Sequence, residues 1–230
     1  MNPRPLVSFL SLSLLAASCI IVVDGEGHVR NHFAYSEGIR GSGVVKTESR
    51  TVGEFERIVV EGSTDVSVRA GEAQSVTASG DDNLVGFITT EVREGALFVG
   101  MKSGSYSPHT HMHVSVAVPA LESVQVRGSA DVDVEGLAGE SFEVGIQGSG
   151  DVKASGKVGR VEASVSGSGD MKLDGLEARE ARVSVSGSGD VEVWAADSLV
   201  VSIAGSGDVT YRGDPKLTKS IAGSGDLRRR

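Results

Sequence analysis

The chain writes Gly-Ser-x-Asp followed by an apolar residue seven times, with x always small, and this recurrence constrains the fold more than any other feature. The starting glycines are Gly62, Gly128, Gly148, Gly167, Gly187, Gly205 and Gly223, so the last six follow one another at steps of 20, 19, 20, 18 and 18 residues. A short fixed period means that each repeat is one structural unit packed on its neighbours. The unit around Gly187 shows how. In Val183-Ser184-Val185-Ser186-Gly187-Ser188-Gly189-Asp190-Val191-Glu192-Val193 every second position is apolar or glycine, the period-2 pattern of a half-buried strand. By parity the motif glycine and x fall inside, and Ser and Asp fall outside. Inward positions at a solenoid corner are crowded by the rungs above and below, so a small residue fits there and a large one does not. Outward Ser and Asp then stack in columns at the inter-strand spacing of about 4.8 Å.

The expected architecture is therefore all-β: a single-stranded β-solenoid (β-helix) with rungs of about 18–20 residues. Turn chemistry at 136–139, 173–176 and 212–215 returns the chain to the next rung. Residues 51–126 hold the same strand chemistry with a less regular repeat. Strands are expected at 76–78, 87–92, 96–99 and 114–118, with turns at 81–83 and 93–95, as the first and broader part of the same stack. No segment sustains an amphipathic helix. Arg228, Arg229 and Arg230 place charge at the last rung, where an open sheet edge needs guarding.

Thirty-one acidic residues stand against 22 basic ones, a formal net charge of -9, and no basic stripe is present. Nucleic acid is thus not an expected partner. Aromatic residues make up only 4% of the chain and glycine is abundant, which suits a narrow core of small and β-branched side chains. Cys19 is the only cysteine, so no intrachain disulfide forms.

The N-terminus reads as an address. Arg4 precedes an apolar run over residues 6–23 that ends in small residues before Cys19. The run is about long enough for a plain membrane anchor, and ordinary secretion is a further reading. Leu15-Ala16-Ala17-Ser18-Cys19 also resembles the lipobox of bacterial lipoproteins, with Ala16 where that pattern carries leucine and Leu15 one place further out. The resemblance implies cleavage before Cys19, lipid attachment at Cys19, and, with Ile20 in place of an aspartate, sorting to the outer membrane. The expected organisation is a lipoprotein signal peptide over 1–18, a flexible tether over 19–50 and a solenoid domain over 51–230.

Further motifs carry a second resemblance. The run from Val52 through Phe55, Ile58 and Val60 to Gly62, the Asp82-Asn83-Leu84 turn, the Val118-Pro119-Ala120-Leu121 segment and the Gly-Ser-x-Asp ladder resemble the head GIN domain family (DUF2807), over roughly residues 51–227. That resemblance implies a right-handed β-solenoid, secreted or lipid-anchored in the bacterial envelope. The adhesin label of the family rests on analogy of fold and transfers no activity.

Two constellations could hold a cation. Asp131, Asp151, Asp170, Asp190, Asp208 and Asp226, with Asp65, form one column in which neighbouring carboxylates repel by about 1 kcal/mol per pair; either a divalent cation or nearby backbone N–H groups would relieve this. His109, His111 and His113 alternate on one expected strand and would share a face, as metal ligands or as a solvated outer surface. His28 and His32 fall in the tether. Serines abound, but a nucleophile needs a positioned base and an orienting partner, and the histidines outside the tether all sit on one strand. No catalytic residue, metal or cofactor is therefore assigned. The functional expectation is a non-enzymatic, adhesin-like, lipid-anchored binding or structural module of the cell envelope. Its expected partner is a surface glycan or envelope protein, and its contact with the membrane is the N-terminal lipid. A polysaccharide-acting β-helix enzyme and a calcium-stabilised scaffold are the competing classes.

Overall fold

The computed structural model of the chain describes residues 38–230 together with the short strands at 20–23 and 29–32. It divides into two units, residues 1–37 and 38–230. In the first, β1 (Ile20–Val23) pairs antiparallel with β2 (Val29–His32), so these residues of the stretch expected to be a flexible tether form a strand pair. Residues 1–19, with the signal peptide and Cys19, lie outside the described residues. Among the described residues no helix is long and apolar enough to cross a membrane.

The second unit is the β-solenoid. It opens with β3 (Ile39–Arg40), β4 (Val45–Arg50), β5 (Arg57–Gly62), β6 (Asp65–Ala70) and β7 (Ser75–Asp81). After a 3-10 turn at Val85–Phe87 come β8 (Ile88–Arg93), β9 (Ala96–Met101), β10 (Tyr106–Ser107), β11 (His113–Val118) and β12 (Ser123–Gly128). The regular rungs follow as β13 (Val132–Gly148), β14 (Val152–Gly167), β15 (Met171–Gly187), β16 (Val191–Gly205), β17 (Val209–Arg212), β18 (Lys216–Gly223) and β19 (Leu227–Arg229). All pairings from β12 to β19 are parallel, and the register aligns Gly62, Gly128, Gly148, Gly167, Gly187, Gly205 and Gly223 in one column. The seven motifs thus stack as the repeat requires.

The expected period-2 alternation is also the burial pattern. Val183, Val185, Val191 and Val193 are at most 1% exposed, while Ser184, Ser186, Ser188 and Asp190 between them face solvent. Burying each such valine contributes roughly 1.5–3 kcal/mol before the entropy of ordering the rung is subtracted. Several of the expected turns are not hydrogen-bonded reversals. At 136 and 173–176 the chain stays extended and bends through register shifts between Val134 and Leu137 and between Leu173 and Glu177, because a solenoid corner needs a change of direction and not a reversal.

Residues 51–126 depart from a plain continuation of the stack. β8 and β9 form an antiparallel hairpin, and β7 runs antiparallel to both β11 and β4. The turn between β8 and β9 places Glu94 and Gly95 both at positive φ, the geometry of a tight hairpin turn. Phe87 belongs to the 3-10 turn and not to the following strand. Because β4 pairs with β7 from Val45↔Asp81 to Arg50↔Val76, the compact unit begins before residue 51: the residues just ahead of it, expected as tether, extend the sheet. At the other end every residue of β18 is exposed, including Leu217 and Ile221. Lys219 holds the register position of buried Val201, an inward charge that discourages edge-to-edge pairing. The terminal arginines fold back, Arg229 onto Asp214 at 3.0 Å and Arg230 onto Glu192 at 3.0 Å.

Candidate functional site: a hydrogen-bonded aspartate row and the cleft at its head

The motif corner explains each of its four residues. Gly187 has φ +138°, and a Cβ there would lie 2.1 Å from the Gly167 carbonyl oxygen of the rung before; both the dihedral and the close approach demand glycine. Gly187 is half-exposed, so its role is conformational and not, as parity suggested, that of an inward residue. The x position is inward: Gly189 is buried, and a Cβ on it would meet the Gly169 oxygen at 2.1 Å. Serine takes up backbone bonding, with Ser188 N–H donating to the Gly167 carbonyl at 2.8 Å, while its side chain stays outside.

The aspartates form a ladder. The backbone N–H of each donates to Oδ1 of the aspartate one rung earlier: Asp131 to Asp65 at 2.8 Å, Asp151 to Asp131 at 3.0 Å, Asp170 to Asp151 at 2.9 Å, Asp190 to Asp170 at 2.8 Å, Asp208 to Asp190 at 2.7 Å and Asp226 to Asp208 at 2.8 Å. Of the two expected means of relieving carboxylate repulsion, the backbone donors are observed on every rung of the row. The parallel ladder is interrupted at the corner, and the carboxylate supplies the acceptor that the previous rung's backbone does not. The last carboxylate closes on its own chain: Asp226 receives Arg228 Nε at 3.0 Å and Leu227 N–H at 2.8 Å, and these bonds, the arginine first, lower its pKa.

Beside this row lie two more outward columns. Ser164, Ser184, Ser202 and Ser220 stand in register on successive rungs and all are exposed. On the other side of the aspartates a mixed-charge column runs through Asp133 and Lys153, 3.7 Å apart, to Lys172 and Glu192.

The histidines do not share one face. β11 begins only at His113, and the chain bends at 109–110, where the backbone N–H groups of His109 and Thr110 bind Asp81 Oδ2 at 2.9 and 3.1 Å. His109 is thereby separated from the other two. His111 and His113 stack with ring centroids 5.8 Å apart. His111 Nε2 lies 3.2 Å from Asp65 Oδ2 and His113 Nε2 lies 2.9 Å from Ser67 Oγ. Burial, and then the neighbouring His111, lower the His113 pKa against the opposing pull of Asp65. Among the described residues no three His, Cys, Asp or Glu side chains converge as a metal site.

Sequence reasoning read Asp81 only as part of a turn, and missed its role. It is fully buried, and its carboxylate receives Gly43 N–H at 2.7 Å as well as the two amides at 109–110. Burial opposes its ionisation, yet the backbone donors of Thr110, Gly43 and His109 outweigh this and hold its pKa below the ordinary value. Asn83 adds its own clamp, accepting Ser42 N–H at 2.9 Å and donating to the Arg40 carbonyl at 2.8 Å.

Asp81 thereby fixes one wall of a cleft at the head of the row. The cleft measures about 530 Å³ and opens between the first motif corner at 62–65 and the segment 101–112, with Leu84 among its lining residues. Tyr106 is held there by a tilted contact with Phe87 at 5.1 Å and by donating its hydroxyl to the Lys102 carbonyl at 3.0 Å.

The family model described as "Putative auto-transporter adhesin, head GIN domain" matches residues 54–215, well over half of the chain. The chain belongs to the head GIN domain family. Its fold is shared with solved structures of low sequence identity. A "putative adhesin" from Bacteroides fragilis is 23% identical, covers 84% of this chain and 100% of its own, and superposes with a TM-score of 0.71. A "putative adhesin" from Parabacteroides distasonis is 22% identical over 84% of this chain and 99% of its own, with a TM-score of 0.54. A "putative lipid binding protein" from the same species is 23% identical over 84% and 99%, with a TM-score of 0.51. No protein of curated function matches the chain. This head GIN domain thus shares a fold with those structures, and its chemistry has to be read from its own residues.

Proposed function

We propose that this protein is a non-enzymatic, adhesin-like binding module of the bacterial envelope, held at the outer membrane by lipid on Cys19, which grips an extended surface polymer, a glycan before an envelope protein. The observation that carries this reading is the set of outward columns in register. With Oδ1 of each central aspartate taken by the ladder, the row offers Oδ2 and the serine hydroxyls to the outside, repeated once per rung. A repeating line of shallow polar groups suits a repeating polymer better than a small molecule enclosed in a pocket. The lipid anchor rests on the lipobox-like residues 15–19.

The test uses the full-chain protein on a glycan array together with a reducing-end assay on every glycan retained. Retention without new reducing ends is the expected result; release of reducing ends would identify a polysaccharide-acting enzyme instead. The anchor is tested with a palmitate analogue in cells expressing the wild type and Cys19→Ala. Label on the wild type alone is expected, and equal label on both would remove lipidation at Cys19.

A further inference from the structure

The last rung leaves a sheet edge open beside a half-covered core. On β16, Leu199, Val201 and Ile203 are at most 1% exposed because β18 lies over them. Leu217, Lys219 and Ile221 hold the same inward positions on β18, in register, and all three are exposed. Among the described residues β18 pairs with β16 alone, so along its eight residues the backbone groups that point away from β16 have no strand partner. Such an edge is a template for an added strand.

The side chains say what kind of strand fits. A strand laid in the register of the rungs sets its own inward residues against Leu217, Lys219 and Ile221, which read apolar, charged, apolar. Among the described residues Lys219 takes part in no ion pair. Asp226 feels its charge, but that carboxylate is already bonded to Arg228 and Leu227. An ammonium group that becomes covered needs a carboxylate against it. The rung as a whole points the same way: residues 206–230 hold six basic side chains against three acidic ones, on a chain of net charge -9, so this end draws acidic partners.

A second copy of the chain does not meet these demands. Two copies joined edge to edge would set Lys219 and the arginines of one against those of the other. The corner beside β18 is also closed to a copy's rung, because Asp226 commits its carboxylate to Arg228 and Leu227, whereas each earlier aspartate gives Oδ1 to the rung after it. Arg229 and Arg230 are likewise engaged, with Asp214 and Glu192. The opening is confined to the strand itself.

We infer that the free edge of β18 is a docking site for one extended strand of a protein partner, in which an acidic residue is flanked two positions away on each side by apolar residues. The site lies apart from the outward columns and goes beyond the polymer-binding reading of them.

The test uses a labelled synthetic peptide with leucine, glutamate and isoleucine at every second position and threonine between them, and a second peptide with lysine in place of the glutamate. Each is titrated into the full-chain protein by fluorescence anisotropy. The wild type is expected to bind the glutamate peptide saturably and about tenfold more tightly than the lysine peptide. Lys219→Glu should invert that preference, Ile221→Ser should weaken both peptides, and the distant charge reversal Lys157→Glu should leave the preference as it is. Should Lys219→Glu fail to fold, Lys219→Gln carries the same test by abolishing the preference. Absence of saturable binding, or a preference that Lys219→Glu does not change, would overturn the inference. An oligomer of the wild type alone in sedimentation, lost on Ile221→Ser, would also overturn it by assigning the edge to a second copy.

Discussion

The carboxylate of Asp81 receives the backbone N–H of Gly43 at 2.7 Å, joining residues 38 positions apart and, through its other oxygen, the bend at 109–110. One buried side chain therefore decides where the N-terminal strap and the cleft wall sit. Its depressed pKa means that the ionised form contributes stability in full above the ordinary aspartate value of about 3.9, and that this is lost as pH falls through the lower folded value. Asp81→Asn, which stays neutral at every pH, should be less stable than the wild type at pH 7, and the gap should close below that ordinary value. Urea midpoints at neutral and acid pH measure it. A gap that stays constant into acid would show that ionised Asp81 is not the stabilising form.

Within the row, Asp170 accepts from Asp190 N–H at 2.8 Å. Asp170→Ala leaves that amide without its acceptor and should cost about 1–2 kcal/mol, whereas Asp170→Asn, which keeps an Oδ1, should lose less than half as much. Chemical denaturation of the two variants checks the order. Equal losses would mean that charge, and not the acceptor, is what the corner needs.

Glycine is required at some positions and merely present at others. Gly187→Ala must place a Cβ 2.1 Å from a carbonyl at a φ of +138°, and a loss of at least ~2 kcal/mol is expected. A Cβ on Gly139 meets nothing within 4 Å, so Gly139→Ala should be neutral or slightly stabilising. Thermal melts of the pair separate close backbone stacking from a general need for glycine.

The regular half of the fold was legible because period and parity coincide: once Val183 and Val185 point inward, Ser184 and Ser186 must point outward, and the next rung repeats the choice. The small x residue was read correctly for the same reason. Parity failed at Gly187 because a corner is where alternation stops, and the dihedral is invisible in the pattern. It failed again at His109, since alternating histidines look like a strand while the bend is imposed by Asp81, 28 residues away. Residues 45–50 were mistaken for tether because their partner, β7, lies some 30 residues onward and runs antiparallel, outside any repeat. The cleft was hidden for the same reason. Thr64 and Thr110 are 46 positions apart, and only the hairpin of β8 and β9 with the following loop brings them to one opening. The signal that could have pointed to it was the threonine at x in the first motif alone.

With Oδ1 of each carboxylate engaged by an amide, the ladder has no need of a cation. Melting midpoints in excess calcium and in chelator should therefore agree for the full-chain protein. A midpoint raised by several degrees in calcium would restore the calcium-stabilised scaffold and place ions along the row.

The central claim is that each aspartate side chain carries one hydrogen bond of the solenoid across its corner. Residue-resolved amide exchange reads this directly at the N–H of Asp170, Asp190 and Asp208, each bonded to the carboxylate of the rung before. The account requires these amides to be protected to the same degree as that of Val185 in the adjoining sheet. Exchange at the rate of an open loop such as Gly104 would contradict it.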